Sequence, residues 1–150
     1  MPNTDPIRLE DQICFQIYTA NKKFNHFYQQ ILSKYDLTYP QYIALITLYE
    51  YAPLTVKQLG QYLNLDSGTL TPLLKRLENR GWINRKRSLQ DERTVIISLT
   101  DKAKNEKQDM FEIVKCCISD LSLDSQDVSN CYGSLKQLSE KLDRYDQSRS

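Results

Sequence analysis

Four leucines limit what this chain can fold into more than any other feature. Leu70, Leu73, Leu74 and Leu77 recur at i, i+3, i+4 and i+7 within residues 65–93, LDSGTLTPLLKRLENRGWINRKRSLQDER. At 100° per residue they form one apolar stripe, so a helix here must bury one side and leave the other to solvent. The opposite side carries Gly68, Pro72, Lys75 and Asn79, flanked by Thr71 and Arg76, and is small, polar and basic. Gly81 follows as a stop, because glycine adopts the left-handed conformation that ends helices at little cost. Residues 82–87 and 94–99 then read as two short strands joined by a polar turn that holds Asp91, Glu92 and Arg93. Proline costs roughly 3 kcal/mol inside a helix, so Pro72 predicts regular helix only from about Thr69, with Asp66 and Ser67 in the preceding turn.

The segments around this stretch supply its context. From about Ile7 to Tyr35, Leu9, Ile13, Ile17, Ala20, Phe24, Phe27 and Ile31 advance by three or four, which predicts one long amphipathic helix with Cys14 at the edge of its stripe. Thr38 and Gln41 have capping-box spacing, with Pro40 tolerated in the first turn, and open a second helix that runs to about Tyr51. Residues 52–54 read as a break. Thr55 and Gln58 repeat the box and open a short third helix through Tyr62. The order short helix, tight turn, helix, hairpin is that of a winged helix-turn-helix, whose second helix enters a DNA major groove while the first braces it.

After the hairpin, residues 99–101 start a long helix with Met110, Ile113, Val114, Cys117, Ile118 and Leu121 on one side. Residues 122–125 break it, and a last helix carries Val128, Cys131, Leu135, Leu138, Leu142 and Tyr145. The terminal helices display more apolar surface than so small a domain leaves bare, which predicts a two-chain interface. The expected fold is therefore mainly α with a small β-hairpin. It is a single domain of 150 residues, with a winged helix-turn-helix at 38–99 and dimerisation helices in 1–35 and 100–150.

Net charge is only +1, but it is unevenly placed. Residues 55–95 hold eight Lys and Arg against four Asp and Glu, whereas the segments on either side are slightly acidic. A basic block between acidic flanks suits a protein that presents one face to phosphate. No apolar run approaches the roughly 18 residues needed to cross a bilayer, so a cytoplasmic protein with no membrane partner is expected. Cys14, Cys116, Cys117 and Cys131 lack metal-ligand spacing and begin as free thiols in a reducing compartment. His26, the only histidine, has no set of ligands to join, so neither metal nor cofactor is expected. No phosphate loop, Ser/His/Asp arrangement or paired carboxylates argue for an enzyme.

Several strings, taken together, resemble one family. These are Cys14-Phe15, the run LTYPQY at 37–42, the run LDSGTLTPLLKR at 65–76, and Asp91-Glu92-Arg93 leading to ISLT at 97–100. They resemble the MarR family of bacterial winged-helix repressors, and more narrowly its organic-hydroperoxide-sensing OhrR branch, over residues 8 to about 102. The resemblance implies a homodimer on double-stranded, near-palindromic operator DNA. It further implies that an organic hydroperoxide acts as inducer by oxidising Cys14. Tyr28 and Tyr39 match tyrosines that hydrogen-bond the reactive sulfur from the partner subunit, and Tyr18 matches another tyrosine near it. Ser67, Thr69, Thr71, Lys75 and Arg76 would meet DNA from the recognition helix, and Arg93 from the wing. The family caps its oxidised thiol either with a low-molecular-weight thiol or with a resolving cysteine on the partner's fifth helix. Both routes stay open here, the second through Cys116 or Cys117. Cys131 is expected to pack.

The residues themselves pull in two directions. Peroxide attacks thiolate, yet Glu10 and Asp11, four and three positions before Cys14 on one long helix, would disfavour it. Activation must then come from phenol donors such as Tyr28 and Tyr39, or from the positive end of the helix were it to begin near Arg8. Two other functions fit the same chain: a repressor released by a small ligand without redox chemistry, and a thiol peroxidase.

Overall fold

The computed structural model describes residues 8–149, so the predicted helix start near Ile7 lies outside the described residues. The described residues form two compact units, one ending at Phe111 and the other beginning at Glu112.

In the first unit the long amphipathic segment is broken at its start. Leu9–Asp11 is a single 3-10 turn, Gln12 is extended, and helix α1 runs Ile13–Leu32. A second 3-10 turn, Ser33–Tyr35, ends at Asp36 in the left-handed conformation. Helix α2, Tyr39–Tyr51, starts where the capping box predicts: the Thr38 N–H donates to Gln41 Oε1 at 2.9 Å. Strand β1, Leu54–Thr55, leads directly into helix α3, Val56–Leu63. There the second box closes completely, Thr55 N–H to Gln58 Oε1 at 2.9 Å and Gln58 N–H to Thr55 Oγ1 at 3.1 Å. Asn64, also left-handed, turns the chain into helix α4, Ser67–Asn79.

Helix α4 buries all four leucines of the stripe. It starts two residues earlier than Pro72 suggested. Asp66 caps it, accepting the Thr69 N–H on Oδ1 at 2.8 Å, and Thr71 Oγ1 donates to the Ser67 carbonyl at 2.7 Å. Proline at this point removes one backbone donor, while the aspartate cap and the buried leucines hold the turn around it. At the other end Gly81, at φ 76°, donates to Glu78 O and Trp82 N–H reaches Leu77 O, both at 2.9 Å. These paired bonds satisfy carbonyls that the last turn would otherwise orphan.

Strands β2, Ile83–Arg87, and β3, Val95–Leu99, make the predicted hairpin. The sheet nevertheless has three strands in the order β1-β3-β2, with Leu54 opposite Ile97 and Thr55 opposite Ile96, so the break expected at residues 52–54 includes an edge strand. Two residues are too few to show alternation, and Pro53 signals only the edge. Trp82 is buried at the base of this wing, 6.3 Å from the Tyr35 ring, with Lys102 Nζ 4.8 Å from its own ring centre. Helix α5, Asp101–Asp120, leaves the sheet through Thr100, whose hydroxyl donates to Gly81 O.

The second unit contains the end of α5 and helix α6, Ser125–Gln147. Asp124 caps α6, so Ser125 is helical rather than part of the break. No residue of α6 is buried: Val128, Leu135, Leu142 and Tyr145 are each about half exposed, and Cys131, expected to pack, is exposed.

A Cβ at Gly81 would meet only Lys102 Cδ at 3.9 Å, so the cost of Gly81→Ala is conformational rather than steric. The substitution is expected to lower unfolding stability by roughly 1 kcal/mol in urea titrations. A loss near zero would mean that the left-handed turn does not hold the end of α4.

Candidate nucleic-acid interface and thiol site

The leucine stripe decides what faces outward. With it buried, Ser67, Thr69, Thr71, Lys75 and Arg76 are all exposed along α4. The Asp66 carboxyl is held below its ordinary 3.8 chiefly by the Thr69 N–H, then by the Thr69 hydroxyl, and so stays ionised as a cap. In the wing, Asp91 organises the turn: its carbonyl accepts from Thr94 N–H, Oδ1 from Arg93 N–H at 3.0 Å and Oδ2 from Thr94 Oγ1 at 2.9 Å. The Arg93 side chain is left exposed. Arg85 of β2 binds Glu78 of α4 through Nε at 2.8 Å and Nη2 at 2.7 Å, both to Oε2. Between α3, the start of α4 and the wing lies an open cleft of about 1100 Å³, which Lys57, Gln58, Gln61, Ser67, Thr71, Arg85 and Arg93 help to line. Gln58 is expected from the sequence only as a cap, and Lys57 and Gln61 carry no sequence expectation, although their spacing puts 57 and 61 one helical turn apart.

Cys14 is exposed and is the second residue of α1. The expectation that Glu10 and Asp11 share its helical side is not met, because the 3-10 turn and extended Gln12 intervene. Glu10 instead offers its carbonyl to Gln16 Nε2 at 3.0 Å and its carboxylate to Arg8 at 3.7 Å. The first turn of α1 contains no acid. Backbone N–H groups in a first turn lack helical partners and favour negative charge.

Tyr28 and Tyr39 are brought together, their ring centres 4.5 Å apart. Tyr42, which the sequence reading did not single out, completes the group at 5.8 Å from Tyr28 and 6.4 Å from Tyr39. Its i+3 spacing from Tyr39 on α2 was the available signal. Burial, then the neighbouring Tyr39, raises Tyr28, and burial pushes Tyr42 up to about 12. Tyr18 makes none of these ring contacts and lies exposed, with Lys22 Nζ 5.3 Å from its ring. Cys116 is exposed and Cys117 half-buried, both in the second unit. His26 Nε2 lies 3.2 Å from Gln30 Nε2, and among the described residues no group of three or more His, Cys, Asp and Glu gathers as a metal site would need.

A family model described as "Transcriptional regulator SarA/Rot" matches residues 26–110. The chain is 42% identical to the organic hydroperoxide resistance transcriptional regulator of Bacillus subtilis (strain 168), over 92% of this chain and 94% of that protein. It belongs to the MarR family of winged-helix transcriptional regulators. Among solved structures, reduced AbfR bound to DNA is 38% identical, with a TM-score of 0.79 over 90% of this chain and 94% of that one. AbfR, a Staphylococcus epidermidis protein, has also been solved with its disulfide formed, and that structure matches at 39% identity, a TM-score of 0.65, and coverage of 87% and 92%. Within this MarR-family chain the winged module and the tyrosine group therefore lie in the part that the family model covers.

The tyrosine group makes a pH-dependent contribution whose sign follows from its shift. Folded Tyr42 titrates near 12 and an unfolded tyrosine near 10, so burial of the neutral phenol stabilises fully below pH 10 and is lost as pH rises through about 12. Urea unfolding measured across that range should show wild type losing stability faster than Tyr42→Phe, which has no phenol to ionise. Equal slopes would remove the packed phenol from the account.

Proposed function

We propose that this chain is a homodimeric repressor that binds operator DNA through α4 and the wing and releases it when an organic hydroperoxide oxidises Cys14. The observation that carries the sensing half is the Tyr28–Tyr39 pair. Tyr28 is a protonated phenol at neutral pH, and burial raises it further, so it is a hydrogen-bond donor, and closely packed, tilted phenols offer an apolar surface with polar tips. Such a surface suits an organic peroxide better than hydrogen peroxide. The position of Cys14 in the first turn of α1 supports the same reading, since a sensor thiol reacts as its anion.

Dimerisation follows from what a single chain leaves bare. Ile13, Ile17 and Phe24 of α1 and Val128, Leu135 and Leu142 of α6 are substantially exposed, more apolar surface than a monomer of this size commonly shows. In the dimer, two copies of α4 enter successive major grooves, roughly 34 Å apart. Ser67, Thr69, Thr71, Lys75 and Arg76 meet one groove and Arg93 reaches from the wing.

The chemistry balances without a cofactor. The Cys14 thiolate attacks a peroxide oxygen, the O–O bond breaks, and the alkoxide takes a proton, giving an alcohol and a sulfenic acid. That acid condenses with a second thiol, from a small molecule or from Cys116 or Cys117 of the partner subunit, to a disulfide and water. The new bond shifts helices at the junction and spoils the spacing of the two α4 copies.

In gel shifts on the promoter upstream of its own gene, reduced wild type and Cys14→Ser should both bind, and cumene hydroperoxide should release only wild type. Release of the serine variant would point to ligand control, retained binding by oxidised wild type would end the sensor reading, and many turnovers with a thiol reductant would indicate a peroxidase. On the DNA side, Lys75→Ala and Arg93→Ala should each weaken binding and reduce the salt slope by about one if they meet phosphate. Unchanged affinity in both would remove α4 and the wing from the interface.

A further inference from the structure

Helix α4 carries an acid on the face assigned to DNA. Ser67, Thr71, Lys75 and Glu78 follow one another at four, four and three residues, which at 100° per residue places Glu78 between Ser67 and Thr71 in projection, on the flank of the helix next to the buried Leu74. A carboxylate there faces the strongest negative charge that the protein meets, and a charge that is only partly buried is little screened at contact distance. In this structure Glu78 is not left alone. Arg85, on the β2 strand of the wing, directs two donors at one carboxylate oxygen, at 2.8 and 2.7 Å. Both side chains are about two-thirds covered, which sets this pair apart from the exposed Arg8–Glu10 and Lys34–Asp109 pairs.

The backbone accounts for why Arg85 can reach. Gly81 ends α4 in a tight turn, and β2 starts two residues later, so the wing strand folds back along the last turn of the helix. Ile83 and Arg85 share one face of β2 by the period of two, and Ile83 is buried, which aims Arg85 inward with it. Arg85 is midway along the edge strand β2, opposite Ile97 of the central strand β3, which in turn pairs with Leu54, so the arginine rises from the paired part of the sheet rather than from the free tip. The same side chain lines the cleft that Arg93 enters from the wing turn.

We infer that Glu78 and Arg85 are a positioning pair for DNA binding: Arg85 masks the carboxylate on the recognition face and fixes the angle at which the wing presents Arg93. This rests on the proposal that α4 and the wing meet DNA. It extends that proposal to two residues that touch each other rather than the bases. Loss of Arg85 has two effects, since it unmasks Glu78 and frees the wing, whereas loss of both partners restores neutrality and leaves only the loosened wing.

The test is a double-mutant cycle in reduced protein, using the promoter duplex above and sonicated bulk duplex DNA as probes at several salt concentrations. Arg85→Ala should weaken binding at least tenfold, and Glu78→Gln on that background should recover a substantial part of the loss. Arg93→Ala should cost clearly less when Arg85 is already alanine than when it is present, a coupling that a merely stabilising contact would not produce. Arg85→Lys, which keeps the charge but loses the fork, serves if the alanine variant does not fold, and should keep the mask while reducing the Arg93 coupling. Additive effects in both cycles, or no recovery from Glu78→Gln, would overturn the inference. Failure of wild type to bind either probe would instead overturn the DNA reading beneath it.

Discussion

Burial of one side of α4 is the constraint from which the rest of the architecture follows. Leu70, Leu73, Leu74 and Leu77 are each 8% exposed or less, and their removal from water at about 25 cal/mol per Å² far outweighs the local cost of Pro72. Because the stripe cannot rotate without exposing those leucines, the opposite face is fixed as well. Asp66 and Gly81 then set where the helix begins and ends, and the tight exit through Gly81 brings β2 back against it. A face that is small, polar and basic is thus held in one orientation by apolar packing behind it.

The other end of the molecule is tied to this face by bonds of a different kind. Helix α1 begins at Ile13, next to Cys14, and the turn that follows it holds three consecutive residues that each reach far along the chain. Lys34 Nζ and the Tyr35 hydroxyl both donate to Asp109 of α5, and Asp36 receives Arg80, the residue that caps the end of α4. Burial, and then the bond to Asp109, raises the Tyr35 phenol, while Lys34 and Tyr35 hold the Asp109 carboxyl below its ordinary value. Tyr35 also sets its ring edge against Trp82 at the base of the wing. A change in how α1 packs therefore meets the recognition helix, the wing base and α5 within three residues.

Much of this was legible in the sequence, for reasons that particular residues make plain. The leucine stripe, both capping boxes and Gly81 are local signals whose partners lie within a few residues, and each appears where expected. Strand β1 is invisible to periodicity because two residues carry no period, and α4 begins earlier than the proline penalty alone predicts because the buried leucines override it. The apolar spacing of the first helix continues across the backbone break at Gln12 and so conceals it. Tyr28 and Tyr39, which the family's motifs pick out, do come together, whereas nothing in those motifs marks Tyr42, and the Glu78–Arg85 pair spans a turn whose geometry no spacing rule reports. The exposed faces of α1 and α6 were foreseen as apolar, and a single chain leaves them uncovered.

If Cys14 is the sensor, its oxidation changes the distance between two copies of α4. Pulsed electron-spin distance measurements on a nitroxide amino acid built in at Asn79, an exposed position at the end of α4, test it most directly. The reduced protein should give one narrow distribution compatible with successive major grooves, roughly 34 Å between the helices. One equivalent of cumene hydroperoxide per chain should shift or broaden that distribution, and a thiol reductant should restore it. An unchanged distribution in protein that has nevertheless released its DNA would contradict the account.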